Sequence, residues 1–79
     1  MTVTEKSLTE FICAEFGVGE SQLQLAVPLF TDGLLDSFAM VDLVIHLEKQ
    51  GGFRMSPGEV TLDNLDSIQK ILDFVATKS

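Results

Sequence analysis

Apolar residues recur along this chain in two rhythms, one with the repeat of a helix and one that alternates. Leu8, Phe11, Ile12 and Phe16 stand three and four residues apart, which predicts an amphipathic first helix from about Thr4 to Phe16. Thr2 and Glu5 have capping-box spacing before it, and Gly17 is the expected stop. Glu15 falls on the same arc, and its long side chain is expected to reach solvent from the edge of the stripe. A second helix is predicted from Ser37 to about Gln50, ended by Gly51 and Gly52. A last one runs from about Ser67 to Thr77, with Ile68, Ile71, Leu72, Phe74 and Val75 on its apolar arc and Asp66 with Gln69 as its cap. Before it, Ser56-Pro57-Gly58-Glu59 puts a capping serine, a first-turn proline and a third-position glutamate in the order of a short helical turn.

The alternating rhythm belongs to Leu23, Leu25, Val27 and Leu29, a strand pattern by period alone. Pro28 and the lack of a partner strand argue against one. Val18 to Leu35 therefore reads as a structured loop laid over the helices with its leucines inward, and long loops of this kind in small domains tend to carry function. The fold expected over residues 1–79 is a single all-α domain, a small four-helix bundle of three main helices and one short one.

The second helix carries two stripes. Ala39, Met40, Leu43, Val44 and Leu47 share one broad arc that suits the core. Phe38, Val41 and Ile45 lie on a separate arc, on the same side as Ser37 and flanked by Asp42 and Glu48. An apolar strip rimmed by charge is a common form of protein docking surface. The alternative is a central helix buried on both sides.

Composition narrows the function. With 79 residues and 46% hydrophobic content, one modest core can be filled, and a large enzymatic cleft is not expected. Five Lys and Arg against twelve Asp and Glu give a net charge of -7, which disfavours nucleic acid and anionic membranes and favours basic partners. The single Cys13 cannot form an internal disulfide and reads as a core filler, which makes a reducing, cytoplasmic setting the default. No apolar run has the length of a membrane span, and the first residues lack the order of a signal peptide.

The most informative chemistry is Ser37, placed where a loop becomes a helix. A helix start leaves backbone N–H groups unpaired and carries partial positive charge, so it suits a phosphate-linked group. As a hydrolytic nucleophile Ser37 fails. His46 is the only histidine, and on ideal helix geometry it lies about 180° around and roughly 13 Å along from Ser37. Asp36 is adjacent but has nothing to orient it, and there is no Gly-x-Ser-x-Gly elbow. His46 reads as a surface residue. Asp32-Gly33-Leu34-Leu35-Asp36 and Asp63-Asn64-Leu65-Asp66 lack the ligand order of a calcium loop, and no Cys/His cluster is present. The second Asp-Ser pair, Asp66-Ser67, is an internal comparison, since such a pair before a helix is often only a cap.

Gly33-Leu34-Leu35-Asp36-Ser37-Phe38, followed by Leu43-Val44-Ile45-His46-Leu47-Glu48, resembles the phosphopantetheine attachment region of acyl and peptidyl carrier proteins. Glu15-Phe16-Gly17-Val18 and Leu62-Asp63-Asn64-Leu65-Asp66-Ser67-Ile68 extend the likeness over nearly the whole chain. The resemblance implies an acyl-carrier-type bundle that is not itself an enzyme. A phosphopantetheinyl transferase would esterify Ser37 with 4'-phosphopantetheine from coenzyme A, and Asp36 and Leu35 would serve its recognition. The thiol of that arm carries an acyl or aminoacyl thioester among activating, acyltransferase and condensing enzymes. Asp32, Phe38, Val41, Asp42, Ile45 and Glu48 would meet those partners, and a monomer is expected. Leu34-Leu35-Asp36-Ser37-Phe38 departs from the Gly-Ala-Asp-Ser-Leu of fatty-acid carriers, which points to stand-alone carriers of polyketide or nonribosomal assembly lines. The alternatives are D-alanine transfer to cell-wall polymers and an unmodified interaction module. Gly51 stands where carriers commonly place an aromatic residue, and Phe53 is expected to fill the space.

Overall fold

The computed structural model describes residues 3–78, which fold as four α-helices joined by loops and two single 3-10 turns, with no strand among the described residues. The first helix, α1, spans Glu5–Phe16, and the second, α2, spans Ser37–Gly51. The short α3 covers Leu62–Leu65, and α4 covers Ile68–Lys78. The turns are Glu20–Gln22 and Pro57–Glu59. This is the all-α bundle expected. The short α-helix, however, lies at Leu62–Leu65, after the Ser56-Pro57-Gly58-Glu59 turn that was expected to supply it.

Local chemistry sets the helix ends. The expected Thr2 cap lies outside the described residues, and the residue that caps α1 is Thr4. Its hydroxyl accepts the Ser7 amide at 3.1 Å, while the Ser7 hydroxyl accepts the Thr4 amide at 2.9 Å. Serine thus fills the position that glutamate holds in most capping boxes. At the other end, Gly17 takes the left-handed conformation that glycine adopts without a Cβ penalty (φ 69°). Gly52 closes α2 in the same way (φ 70°). The Ser56 amide donates to Glu59 Oε1 at 2.9 Å, as that sequence predicts, and Glu59 also pairs with Lys78 at the end of α4.

The core gathers Leu8 and Ile12 from α1, Ala39, Leu43 and Leu47 from α2, Leu65 from α3, and Ile68, Ile71, Phe74 and Val75 from α4. The long loop adds Leu23, Leu29 and Leu35, so its leucines do turn inward. A side chain such as leucine contributes about 1.5–3 kcal/mol when fully buried. Those three inward residues help to keep the connection of residues 18–35 against the helices. Phe11 and Phe16 meet edge to face at 5.7 Å, Cys13 is half-buried against the core, and Glu15 is exposed.

Phe53 fills the space beside Gly51 as expected. A Cβ on Gly51 would lie 2.2 Å from the Phe53 ring, which in turn packs edge to face on Phe74 at 6.3 Å. His46 departs from expectation. It is not a surface residue: its ring stacks on Phe11 at 3.8 Å with 11° between the planes, and its Nε2 is buried without a hydrogen-bond partner. The aromatic face of imidazole is being used as packing between α2 and α1, and this burial holds its pKa below the usual histidine value.

Candidate functional site

The two Asp-Ser pairs, alike in sequence, are built in opposite ways. At the first, Asp36 is the cap: its Oδ1 accepts the Ala39 amide at 2.9 Å, and Ser37 becomes the first residue of α2. Ser37 is exposed at the positive end of a 15-residue helix, and its hydroxyl makes no hydrogen bond among the described residues. At the second pair the serine caps, Ser67 Oγ accepting the Lys70 amide at 3.0 Å. Both residues there are buried, Asp66 at 7% and Ser67 at 4% exposure. The expected Asp66–Gln69 cap is therefore corrected. Ser67 does the capping, Gln69 bonds Asp73, and the Asp66 carboxylate turns away to the long loop. Of the two serines, Ser37 is the one left with an available hydroxyl.

That loop brings the chain to Ser37. Leu29 donates to the Asp66 carbonyl, Phe30 and Thr31 donate to Asp66 Oδ1 at 2.8 and 3.0 Å, and the Thr31 hydroxyl donates to Oδ2. The segment then closes on itself, Gly33 donating to the Phe30 carbonyl at 3.1 Å and Leu35 to the Leu29 carbonyl at 2.8 Å. Gly33 turns the chain with φ 80°, a conformation side-chain-bearing residues rarely take. Burial of Asp66 disfavours its charge, but the Thr31 side chain and the Thr31 and Phe30 amides, with Lys70 nearby, outweigh that effect and hold its pKa below the ordinary value.

Around the serine, the sequence-picked residues separate. Phe38, Val41 and Ile45 are exposed at 82%, 58% and 46%, an unusual run of large apolar groups facing water on one helix. The helix is therefore not buried on both sides. Asp32, Asp36 and Asp42 are exposed as well. Leu35 is not available to an enzyme, since it is buried at 5% and anchors the loop in the core. Glu48 is half-buried, and one of its carboxylate oxygens accepts the Met55 amide at 2.8 Å, so it braces the loop after α2 rather than standing as a free rim charge.

Beside Ser37 a groove of about 230 Å³ runs between α2 and Val60, lined by Met40, Val41, Val44 and Ile45. A larger depression of about 720 Å³, on the face of α1 that carries Glu5, Glu10 and Cys13, holds none of the residues expected to serve attachment or docking. No group of three His, Cys, Asp or Glu among the described residues could hold a metal ion, and no described helix is long and apolar enough to cross a membrane. His46, stacked on Phe11, offers Ser37 no base.

What the site can do is accept a substituent. An exposed primary hydroxyl on the first turn of a helix, with a neighbouring carboxylate already used for capping, fits a phosphodiester link whose negative charge the unpaired amides favour. Sequence reasoning missed the Asp66 lock on the loop. Its one signal was an acidic residue held between the core leucine Leu65 and isoleucine Ile68, beside a serine that could itself serve as a cap.

The family model described as "Phosphopantetheine attachment site" matches residues 6–75. A D-alanyl carrier protein of Abiotrophia defectiva is 33% identical over 69 residues, covering 87% of this chain and 84% of that protein. On these grounds the chain belongs to the phosphopantetheine-binding carrier proteins, whose prosthetic group is a covalently attached 4'-phosphopantetheine.

Proposed function

We propose that Ser37 is the attachment residue and that the protein is a discrete, non-catalytic carrier of a small acyl or aminoacyl unit. The observation that carries this reading is the contrast between the two Asp-Ser pairs, in which the hydroxyl of Ser67 is spent on a cap and that of Ser37 is free at a helix start. A phosphopantetheinyl transferase would join the Ser37 oxygen to the phosphate of coenzyme A's pantetheine half, releasing the nucleotide half, with the hydroxyl proton lost to the transferase. When bound, the prosthetic group supplies the thiol on which cargo is held as a thioester. The chain's own residues supply the anchor, the fixed helix start and the surface by which enzymes find it. Tethering keeps the cargo at high effective concentration near each of them.

The likeness to a D-alanyl carrier protein favours an aminoacyl cargo, with D-alanine the first to test. The assembly-line setting of polyketide or nonribosomal synthesis is the second reading, favoured by Leu34 and Leu35 ahead of the Asp36-Ser37 pair. A cytoplasmic location accords with a coenzyme A-dependent modification.

Incubation with coenzyme A and a promiscuous phosphopantetheinyl transferase is expected to add one phosphopantetheine mass, and Ser37→Ala to abolish the gain. A mass gain retained by the alanine variant would move the site to another residue. An unmodified wild-type chain would leave only the interaction-module reading. Presenting the modified protein with D-alanine or other amino acids and their activating enzymes then identifies the cargo by mass.

A further inference from the structure

We propose that Asp66 is a positioning residue for modification at Ser37, acting through the loop 29–35; the proposal rests on the reading of Ser37 as the attachment residue. Four donors of the loop converge on this one residue from 35 to 37 positions earlier in the chain. The Leu29 amide meets its carbonyl, the Phe30 and Thr31 amides share Oδ1, and the Thr31 hydroxyl takes Oδ2. The hydrogen bond from Leu35 to the Leu29 carbonyl passes that anchorage across the loop to the residue just before Asp36. Leu29 and Leu35 are both sunk in the core, so the two ends of the segment are held by side chains as well as by the backbone. Asp36 then caps α2 and Ser37 begins it.

Two features separate this from ordinary loop packing. Ser67 Oγ takes the Lys70 amide and the Leu25 carbonyl takes the Gln69 amide at the start of α4, so the Asp66 carboxylate is not needed as a cap and is committed to the loop. It is also buried, at 7% exposure, and a carboxylate so placed is tolerated because amides and a hydroxyl surround it. Without these bonds the Phe30 and Thr31 amides lose their partners and the segment gains alternative conformations. Only a fraction of molecules would then present Asp36 and Ser37 in the arrangement the transferase binds, and apparent affinity falls by that fraction. A shift of this kind raises KM and leaves kcat nearly unchanged, because molecules that do bind react normally.

The test uses the full chain as wild type, Asp66→Ala and Thr31→Val, with coenzyme A and a promiscuous phosphopantetheinyl transferase. Initial rates are followed by intact mass against carrier concentration. Amide hydrogen exchange is read at Phe30, Thr31 and Leu35, with Ile12 and Ile71 reporting the core. Asp66→Ala, which removes both carboxylate oxygens, is expected to raise KM roughly tenfold, as for a competent fraction of about one in ten. Thr31→Val, which removes only the hydroxyl contact, should raise it less. Exchange should quicken at the three loop amides while the two core amides stay protected. Wild-type KM in a variant whose loop amides exchange faster overturns the proposal, and so does unchanged loop exchange. If Asp66→Ala fails to fold, Thr31→Val decides by the same two readings. A wild-type chain that takes no phosphopantetheine overturns the Ser37 reading and this proposal together. Failure of the Asp66 role alone leaves wild-type modification intact.

Discussion

Asp36 and Ala39 are joined by a 2.9 Å hydrogen bond, the carboxylate accepting the amide, and this contact divides the Asp36-Ser37 pair into a cap and an available hydroxyl. Capping can be separated from charge. Asp36→Ala should lower stability by about 0.5–2 kcal/mol, whereas Asp36→Asn, which can still accept the amide, should change it by only a few tenths. Urea midpoints measure this. If both variants also lose modification to the same extent, the transferase reads the charge; retained activity in Asp36→Asn would show that it reads the helix start alone.

The exposed strip gives a second expectation. Val41→Asp, on a side chain 58% exposed, should shift stability by no more than about 0.5 kcal/mol while sharply reducing loading by a partner enzyme. Glu48→Lys should behave differently, because it removes the acceptor of the Met55 amide, and a loss of about 1–3 kcal/mol is expected. Thermal denaturation beside a loading assay distinguishes the two, and equal effects on both measurements would mean that Val41 is packing rather than docking surface.

Histidine 46 sets a pH dependence of known sign. Burial lowers its pKa in the folded state, so the unfolded chain takes up the proton first. Its contribution to stability is full above the ordinary value of 6.5 and declines as pH falls below it, down to the lowered folded-state value. The Asp66 contribution, from a carboxyl also lowered, is lost only as pH falls below the ordinary 3.8. His46→Phe should therefore flatten the stability profile between pH 7.5 and 5.5, measured by urea midpoints. An unchanged slope would place the titrating group elsewhere.

Gly51 offers a test in which two effects oppose. Alanine in a helix is favoured over glycine by about 1 kcal/mol, but its Cβ would sit 2.2 Å from the Phe53 ring, and displacing that ring from Phe74 costs about 1–3 kcal/mol. The expected result is a net loss near 1 kcal/mol that Phe53→Leu relieves. A stabilised Gly51→Ala would show that the ring moves freely.

Much of this fold was legible because it depends on local rules. Spacing gave the three long helices, Gly17 and Gly52 gave two of their ends, and Pro28 ruled out the strand that Leu23 to Leu29 mimic. The separate arc of Phe38, Val41 and Ile45 could be read from helical geometry alone. What stayed hidden depends on partners distant in the chain. His46 has no apolar neighbour in sequence that reveals Phe11 beneath it, and Leu35 looks as available as Leu34 until the core is assembled. Asp66 looked like a cap because sequence shows what a residue precedes, whereas its hydrogen bonds depend on which loop comes to rest against it. Thr4 and Ser7 escaped notice because serine replaced the usual glutamate.

The bonds from Leu29, Phe30 and Thr31 to Asp66 join two stretches of polypeptide that are synthesised far apart in time. A folding chain can form α2 and display Ser37 early, yet its approach stays unmoored until Asp66 has settled against the loop. The site is thus finished only by a residue that follows it much later in the chain. Chains cut short before Asp66 would then be poor substrates for addition of the prosthetic arm.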